Sequence, residues 1–385
     1  MKRIAVIGST GSIGQNTLDV IARNPERLQL VGLAARSRID LLAKQWAQFS
    51  PPYLAVLDAD KAKQLSAQIT PHPVWSGTEG LVKLATHPDV DLVVVAALGS
   101  ELLVPIVRAI QAGKQIALAS KELLVMAGGL IMRLVREHGT RLIPIDSEHA
   151  ALFQCLHGVE PAQVSRLTVT GSGGSLWNVP PEALASVTRQ QVLAHPKWQM
   201  GPKITVDSAT LMNKGLEMIE ARWLFDIPLE RISVVIHPEA VVHAIIELVD
   251  GTLLAQMSLC DMRLPIQYAL SFPDRWSSSL PRLDVTRLSA LRFFEPPLER
   301  FPCLRLALEA AAQGESACIT LNAANDVAVQ AYLDDHIPFT EIPRIIAETL
   351  EQHERVTHPT LDEILSLDAL ARRTAKERIH QWSTR

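Results

Sequence analysis

The chain has 385 residues, 48% of them hydrophobic and 20% charged, with a formal net charge of -4. That length exceeds one ordinary domain and predicts two or three, each with enough apolar residues for a core. The slightly acidic balance gives no reason to expect nucleic acid or a membrane surface as partner. The longest apolar run, Leu92 to Leu98, is too short to span a bilayer.

The opening run Ile4-Ala5-Val6-Ile7 turns at once into glycines and is too short for a signal-peptide core. Over residues 1–146, short β-rich runs alternate with stretches long enough for crossover helices. Strands are expected at Arg3–Ile7, Gln29–Ala34, Tyr53–Leu57, Asp91–Ala97, Gln115–Ala119 and Leu142–Ile145. That rhythm predicts an α/β fold with an N-terminal Rossmann-like parallel sheet. From 147 to 271 the strands Arg166–Thr170, Ile232–Ile236, Ala244–Val249 and Thr252–Ser258 suggest a mixed sheet in a central α+β catalytic domain. Its last pair is joined by the two-residue turn signal Asp250-Gly251. Residues 272–300 read as an ordered linker. Helices expected at Pro302–Gln313, Ala323–Asp335, Ile342–His353 and Leu367–Trp382 make residues 301–385 a small C-terminal helical domain.

Gly8-Ser9-Thr10-Gly11-Ser12-Ile13-Gly14 follows the first strand and precedes a helix expected to start near Gln15. Glycines let the backbone approach a pyrophosphate, and a helix N-terminus offers free N–H groups. An empty tight turn is the plainer alternative. After the second strand stands Arg36-Ser37-Arg38, where an NAD enzyme usually carries an acid. Two arginines and a serine suit a 2′-phosphate and so favour NADPH.

Asp146, Ser147 and Glu148 lie at the end of a predicted strand, where open α/β sheets place ligands. In extended geometry both carboxylates project to one side, and a divalent cation would relieve their repulsion. Helix capping by Asp146 or Ser147 ahead of a helix at Ala150–Leu156 is the competing explanation. In the run from His195 to Glu217, Asn213 and Lys214 stand four and three residues before Glu217, on neighbouring faces of a helix. Glu217 would be a third oxygen ligand, and three carboxylates suit Mg2+ or Mn2+. A structural Lys214–Glu217 ion pair is the alternative. Thr170-Gly171-Ser172-Gly173-Gly174-Ser175 could form an N–H nest for a phosphate or hinge a lid over residues 172–201. Of His237 and His243, which flank a proline turn, one is expected at the site. Cys155, Cys260, Cys303 and Cys318 are widely spaced, pair in no metal motif, and fit reduced thiols in a cytoplasmic protein.

With these residues assembled, the chain closely resembles the 1-deoxy-D-xylulose 5-phosphate reductoisomerase family. The matching blocks are GSTGSIG (8–14), SKE (120–122), DSEHAALFQ (146–154), TGSGG (170–174), HPKWQMGPKITVDSATLMNKGLEMIEARWLF (195–225), HPEAVVH (237–243), DMRLPI (261–266) and LNAAN (321–325). The resemblance implies conversion of 1-deoxy-D-xylulose 5-phosphate to 2-C-methyl-D-erythritol 4-phosphate. A skeletal rearrangement precedes hydride transfer, within non-mevalonate isoprenoid synthesis. It implies NADPH, a divalent metal (Mn2+, Mg2+ or Co2+) and a homodimer.

By the same resemblance, Asp146, Glu148 and Glu217 would hold the metal. Ser172, Ser208, Asn213 and Lys214 would contact the substrate phosphate. Ser147, Lys121, His195 and His243 would surround the substrate, and Trp198 and Met200 would belong to the lid. Gly8, Thr10, Gly11, Ser12 and Ile13 would form the pyrophosphate loop. Gly201 and Met262 would lie near the nicotinamide, with Ser120, Lys121 and Glu122 also beside the cofactor. The chain departs from the family's usual pattern at Ser120, at Arg36-Ser37-Arg38 and at Ser175-Leu176. Cofactor contacts and lid stiffness are therefore the features most open to change. A reductase acting on another phosphosugar or on a semialdehyde would need a nucleophilic cysteine or a different base, and no cysteine here sits in a polar motif. A silent nucleotide-binding regulator would have no use for the metal triad.

Overall fold

The structure, a computed structural model, describes residues 1–383 and divides them into two compact units. The first comprises residues 1–123, 131–150 and 261–280. The second comprises 124–130, 151–260 and 281–385, of which the last two lie outside the described residues.

The first unit contains strands β1 (Lys2–Ile7), β2 (Leu28–Ala35), β3 (Tyr53–Val56), β4 (Val74–Ser76), β5 (Leu92–Val95), β6 (Gln115–Leu118) and β7 (Leu142–Pro144). Between them run helices α1 (Ser12–Ala22), α2 (Ile39–Phe49), α3 (Ala59–Gln68), α4 (Gly77–Ala85), α5 (Leu103–Gln111) and α6 (Lys121–Glu137), whose residues 124–130 belong to the second unit. The sheet order is β4-β3-β2-β1-β5-β6-β7, with every adjacent pair parallel. All four residues of β5 are inaccessible to solvent, as expected for a central strand covered on both faces. Strand order reverses at β1 and β5, and the crevice beyond the carboxyl ends of those strands is where such sheets take ligands. Six of the seven strands follow the sequence pattern. The edge strand β4 does not announce itself, because its three residues are too few for a period and none is buried.

Helix α7 (Ser147–Cys155) starts in the first unit and ends in the second, which then contains β8 (Val164–Gly171), α8 (Arg189–Leu193), α9 (Pro202–Ala209) and α10 (Met212–Phe225). The chain continues through β9 (Ile232–Ile236), β10 (Val242–Leu248) and β11 (Leu253–Met257). The sheet runs β11-β10-β8-β9, with β8 and β9 parallel and the other pairs antiparallel, which is the mixed sheet expected. The hairpin turn is one residue longer than Asp250-Gly251 predicts. Leu248 and Thr252 close it through a 2.9 Å bond, and Gly251 takes φ +85° after a tight turn. After α11 (Arg263–Ser271), which belongs to the first unit, come α12 (Pro302–Gln313), α13 (Glu315–Leu333), α14 (Glu341–Leu350) and α15 (Leu361–Ser383). Helix α13 starts eight residues before the predicted Ala323. Its opening turns are buried on nearly every face, so they show no amphipathic stripe.

Two helix starts also differ from expectation, and both matter for the site. Helix α1 begins at Ser12 rather than near Gln15, so the last glycine of the loop, Gly14, lies in its first turn. Helix α7 begins at Ser147, so Glu148 is helical and the extended-strand argument for pairing it with Asp146 does not apply. The tight start of α1 depends on Gly14. A Cβ there would collide with the Gly8 carbonyl oxygen and come within 2.5 Å of the Ser9 Cα. Gly14→Ala is expected to destabilise the protein by about 1–3 kcal/mol, because backbone and not a movable side chain must yield. Thermal melting with and without dinucleotide checks this. An unchanged melting temperature would show that the loop gives freely.

Candidate active site

The sequence-predicted residues divide between the two units. The first carries the glycine turn, Arg36 to Arg38, Ser120 to Glu122, Asp146 to Glu148 and Met262. The second carries Ser172, the stretch from His195 to Glu217, and His243.

In the first unit Gly8 takes φ +87°, and a Cβ there would strike Ala96 and Ala97. The Gly11 N–H closes the turn on the Gly8 carbonyl at 3.0 Å, leaving the first N–H groups of α1 facing outward from its N-terminus. Gln45, buried in α2, locks the loop from behind. It accepts from Ser9 Oγ at 2.7 Å, and its amide donates to the Ser9 carbonyl at 2.9 Å. Nothing in the sequence marks Gln45, because its partner is set by helix packing and not by spacing. Arg36 follows β2 directly and pairs with Glu101; Arg38 donates to the Thr10 carbonyl. Ser37 stands between them, its carbonyl accepting from the Ile39 N–H at 2.9 Å.

Ser120 stands before the first turn of α6, 3.4 Å from the Glu122 carboxylate. Lys121 is buried, and its ammonium lies 2.5 Å from Asp146 Oδ2. Asp146 precedes α7 and accepts the Ala150 N–H on its own carbonyl at 2.8 Å, so the capping position and the carboxylate belong to one residue. Ser147 Oγ donates to Glu148 Oε2 at 2.5 Å. Met262 immediately precedes α11, whose first residue Arg263 is fixed by Asp261 and by Asp19 of α1, at 2.6 and 3.1 Å.

In the second unit, α10 brings its three polar residues together as the helical spacing predicts. Asn213 Nδ2 donates to Glu217 Oε1 at 2.5 Å, and Lys214 Nζ to Glu217 Oε2 at 2.6 Å. The ion pair considered as an alternative is therefore real, but it is buried: Glu217 is fully inaccessible and Lys214 nearly so. An exposed pair would mean little; a dry one signals either a specificity device or a group kept for chemistry.

The Lys214 stem runs over Gly171, within 3.0 Å of where a Cβ would sit. Beyond Gly171, Gly173 and Gly174 take φ +87° and +71°, and the Gly174 N–H reaches Ser172 Oγ at 3.2 Å. Gly174 also backs onto Ser208 at the end of α9, with no room for a Cβ. Ser172 Oγ lies 3.0 Å from His195 Nε2. His195 Nδ1 accepts from the backbone N–H groups of Lys197 and Trp198 at 3.2 and 2.9 Å. The neutral ring therefore carries its proton on Nε2 and donates to Ser172, leaving the Ser172 hydroxyl proton free for a ligand. Burial, assisted by the Lys214 ammonium, lowers the His195 pKa to about 4.

His243 behaves alike. Burial is the main cause of its pKa of about 4, and Lys214 and His237 push the same way against a hydrogen bond to the Ser258 carbonyl. The Trp198 indole lies 6.2 Å from the His243 ring. His237 is instead a structural residue, fully buried, bonded to the Arg292 carbonyl and stacked on Phe293. Leu176 and Val192 are buried in the core cluster, so the loop is anchored at its start and at α8. Residues 194–201, with Trp198 and Met200, carry no helix or strand and lead directly into α9 at Pro202.

Among the described residues, no helix is long and apolar enough to cross a membrane. Comparison with known proteins gives one consistent family. Models described as 1-deoxy-D-xylulose 5-phosphate reductoisomerase, its C-terminal domain, and DXP reductoisomerase C-terminal domain match residues 4–128, 142–225 and 257–374. A 1-deoxy-D-xylulose 5-phosphate reductoisomerase of Heliobacterium modesticaldum is 50% identical over 383 residues, 98% of each chain. One from Geobacter metallireducens is 48% identical over 381 residues, 98% of this chain and 99% of its own. A crystal structure of DOX-P reductoisomerase with NADPH, fosmidomycin and magnesium superposes with TM-score 0.93 at 39% identity, covering 99% of this chain and 98% of that one. The Zymomonas mobilis enzyme in complex with NADPH gives TM-score 0.91 at 38% identity, covering 98% and 99%.

The two depressed histidines set a pH dependence. In the unfolded chain each would bind a proton below its ordinary pKa of 6.5; in the folded chain each resists until about 4. The unfolded state therefore binds more protons in that window, and stability falls as pH drops from 6.5 towards 4. Melting curves of wild type and His243→Asn across this range check it. The substitution is expected to flatten the slope, and an equal slope in both proteins would assign the pH response to other groups.

Proposed function

The chain belongs to the 1-deoxy-D-xylulose 5-phosphate reductoisomerase family, and from that premise we propose how its own residues divide the work. It is an NADPH- and divalent-metal-dependent oxidoreductase. It converts 1-deoxy-D-xylulose 5-phosphate to 2-C-methyl-D-erythritol 4-phosphate by skeletal rearrangement and hydride transfer, in isoprenoid precursor synthesis.

Asp146, Glu148 and Glu217 are assigned to the metal. The observation that carries this assignment is Glu217 itself: a carboxylate with no solvent access, hydrogen-bonded by Lys214 and Asn213 on its own helix. Burying a charge costs several kcal/mol, and a surplus of acidic oxygen donors is the set that Mg2+ or Mn2+ prefers. When bound, the cation supplies Lewis-acid polarisation of the ketone and neighbouring hydroxyl oxygens, and NADPH supplies the hydride. Lys121 fixes the Asp146 carboxylate and Ser147 fixes that of Glu148, so each ligand is oriented before anything binds.

Ser172, Ser208, Asn213 and Lys214 are assigned to the substrate phosphate. Neutral His195 holds the Ser172 hydroxyl with its proton directed outward, and Lys214 supplies the charge. Gripping a phosphate remote from the reacting carbons gives binding energy for positioning. Trp198 and Met200, in the stretch 194–201 that has neither helix nor strand, would close over the bound substrate beside His243 and exclude water. Gly8 and Thr10 to Ile13 would take the pyrophosphate, and Arg36, Ser37 and Arg38 the 2′-phosphate. Gly201, Met262 and Ser120 to Glu122 would border the nicotinamide half.

We assign the working form to a homodimer. The edge strand β11 exposes Leu253 and Leu254, and Val249 beside the turn is 69% exposed. An apolar, unpaired sheet edge is a surface that proteins cover. Four reduced thiols, with Cys303 and Cys318 pushed up to about 12 by burial, agree with a cytoplasmic setting.

Glu217→Gln tests the metal assignment. Activity and divalent-metal affinity are expected to fall by more than the roughly 10–100-fold that losing an outer partner of a ligand costs. NADPH affinity should hold. Melting temperature will also fall, because Lys214 loses its anion, so metal titration is the deciding measurement. Unchanged metal dependence would leave Glu217 a structural partner of Lys214. For the dimer, Leu253→Lys is expected to shift sedimentation towards the monomer; an unmoved sedimentation coefficient would place the interface elsewhere.

A further inference from the structure

Strands β2 and β5 flank β1, so the segments following them face each other across the glycine turn that follows β1. Arg36 comes directly after β2. Glu101 stands in the short turn Ser100–Leu102 after β5, and the two side chains meet as an ion pair across the mouth of the turn. The carboxylate is the more enclosed partner, 28% exposed against 61% for the guanidinium side chain. Its position is built in: Gly99 takes φ +123°, and a Cβ on it would collide with the Glu101 carboxylate. Arg38 is turned away from this pair and onto the Thr10 carbonyl.

We propose that Glu101 is a specificity-determining residue for the dinucleotide, holding Arg36 and competing for it with the adenosine 2′-phosphate. This rests on the reading above that Arg36 holds that phosphate. A guanidinium presents one planar fork in a given direction, and carboxylate and phosphate seek the same two N–H groups. A phosphate arriving at Arg36 must displace Glu101 or share the cation with a second anion close by. Either way the opposition falls on NADPH. NADH has a hydroxyl at that position, needs no guanidinium and leaves the pair intact. Glu101 thus narrows the gap in affinity between the two cofactors, and it makes NADPH binding an exchange of one anion for another at Arg36.

The test is fluorescence titration of the full-length enzyme with NADPH and with NADH, on wild type, Glu101→Gln, Arg36→Gln and the double variant. Glu101→Gln keeps the side chain's size and removes its charge. It is expected to tighten NADPH by about two- to fivefold at low salt, the range of one partly exposed ion pair. NADH affinity should not move, and the gain should vanish on the Arg36→Gln background and shrink at high salt. Arg36→Gln alone should weaken NADPH and spare NADH. If it does so while Glu101→Gln leaves NADPH affinity unchanged or weaker, competition is overturned and Glu101 merely supports Arg36. Weaker NADH binding in Glu101→Gln would also overturn it, since the carboxylate would then be serving the ribose hydroxyl. If Arg36→Gln leaves NADPH affinity intact, the phosphate reading itself falls, and the proposal with it. Melting curves of each variant exclude misfolding as the cause of any loss.

Discussion

An ammonium and a carboxylate on adjacent turns of one buried helix are the constraint that shapes the second unit. Lys214 and Glu217 give up hydration worth several kcal/mol each, and only close, complete pairing offsets that. Such a pair tolerates little movement, so α10 must be held along its length. Leu211, at φ +59°, breaks α9 from α10 and sets the angle at which α10 enters. Gly215 lies against the Ala307 methyl of α12 with no space for a Cβ, so the backbone of α10 packs directly onto a small side chain of its neighbour. A charge network extends the grip. Lys203 joins Asp207 at 2.8 Å and Asp326 at 3.3 Å, Asn325 donates to Asp207 at 2.9 Å, and Arg372 of α15 reaches Asp326 at 2.8 Å. The C-terminal helices thereby act as a clamp on the element that carries the site. This gives a physical reason for so much buried alanine in α12 and α13, since small side chains permit close approach.

A common arrangement recurs in each unit. Several polar groups assigned to a ligand already have a protein partner. Lys121 holds Asp146, Ser147 holds Glu148, His195 holds Ser172, Lys214 holds Glu217, and Glu101 holds Arg36. Unpaired charges in dry surroundings would be costly and would wander, so internal partners keep the groups oriented. Ligand binding then becomes an exchange of partners. The two histidines fit the same scheme. Their burial keeps them neutral at physiological pH, so the positive charge near Ser172 comes from Lys214, while His195 works as a directed hydrogen-bond donor.

The sequence by itself determined what depends on neighbours along the chain. Short apolar runs alternating with helical stretches marked the parallel sheet, and strand and helix patterns marked the mixed sheet and the late helices, because side-chain direction repeats every two or every 3.6 residues. Helical spacing likewise placed Asn213 and Lys214 against Glu217, and the glycine turn after β1 was legible because only glycine takes φ near +87° with backbone so close. What failed locally failed for local reasons: β4 is too short for a period, α13 is buried on too many sides, and α7 starts earlier than its apolar residues suggest.

Tertiary structure alone decided the rest. His195 reaches Ser172 only because α8 is anchored through Val192 and returns the chain beneath the β8 loop. Gln45 locks Ser9 only because α2 packs behind the glycine turn. Arg36 meets Glu101 only because β2 and β5 lie on either side of β1, an order that no spacing in the chain encodes. Pattern repeats are short-ranged, whereas strand order and helix packing are settled by the burial of whole faces, so long-range partners become visible only once the sheet is assembled.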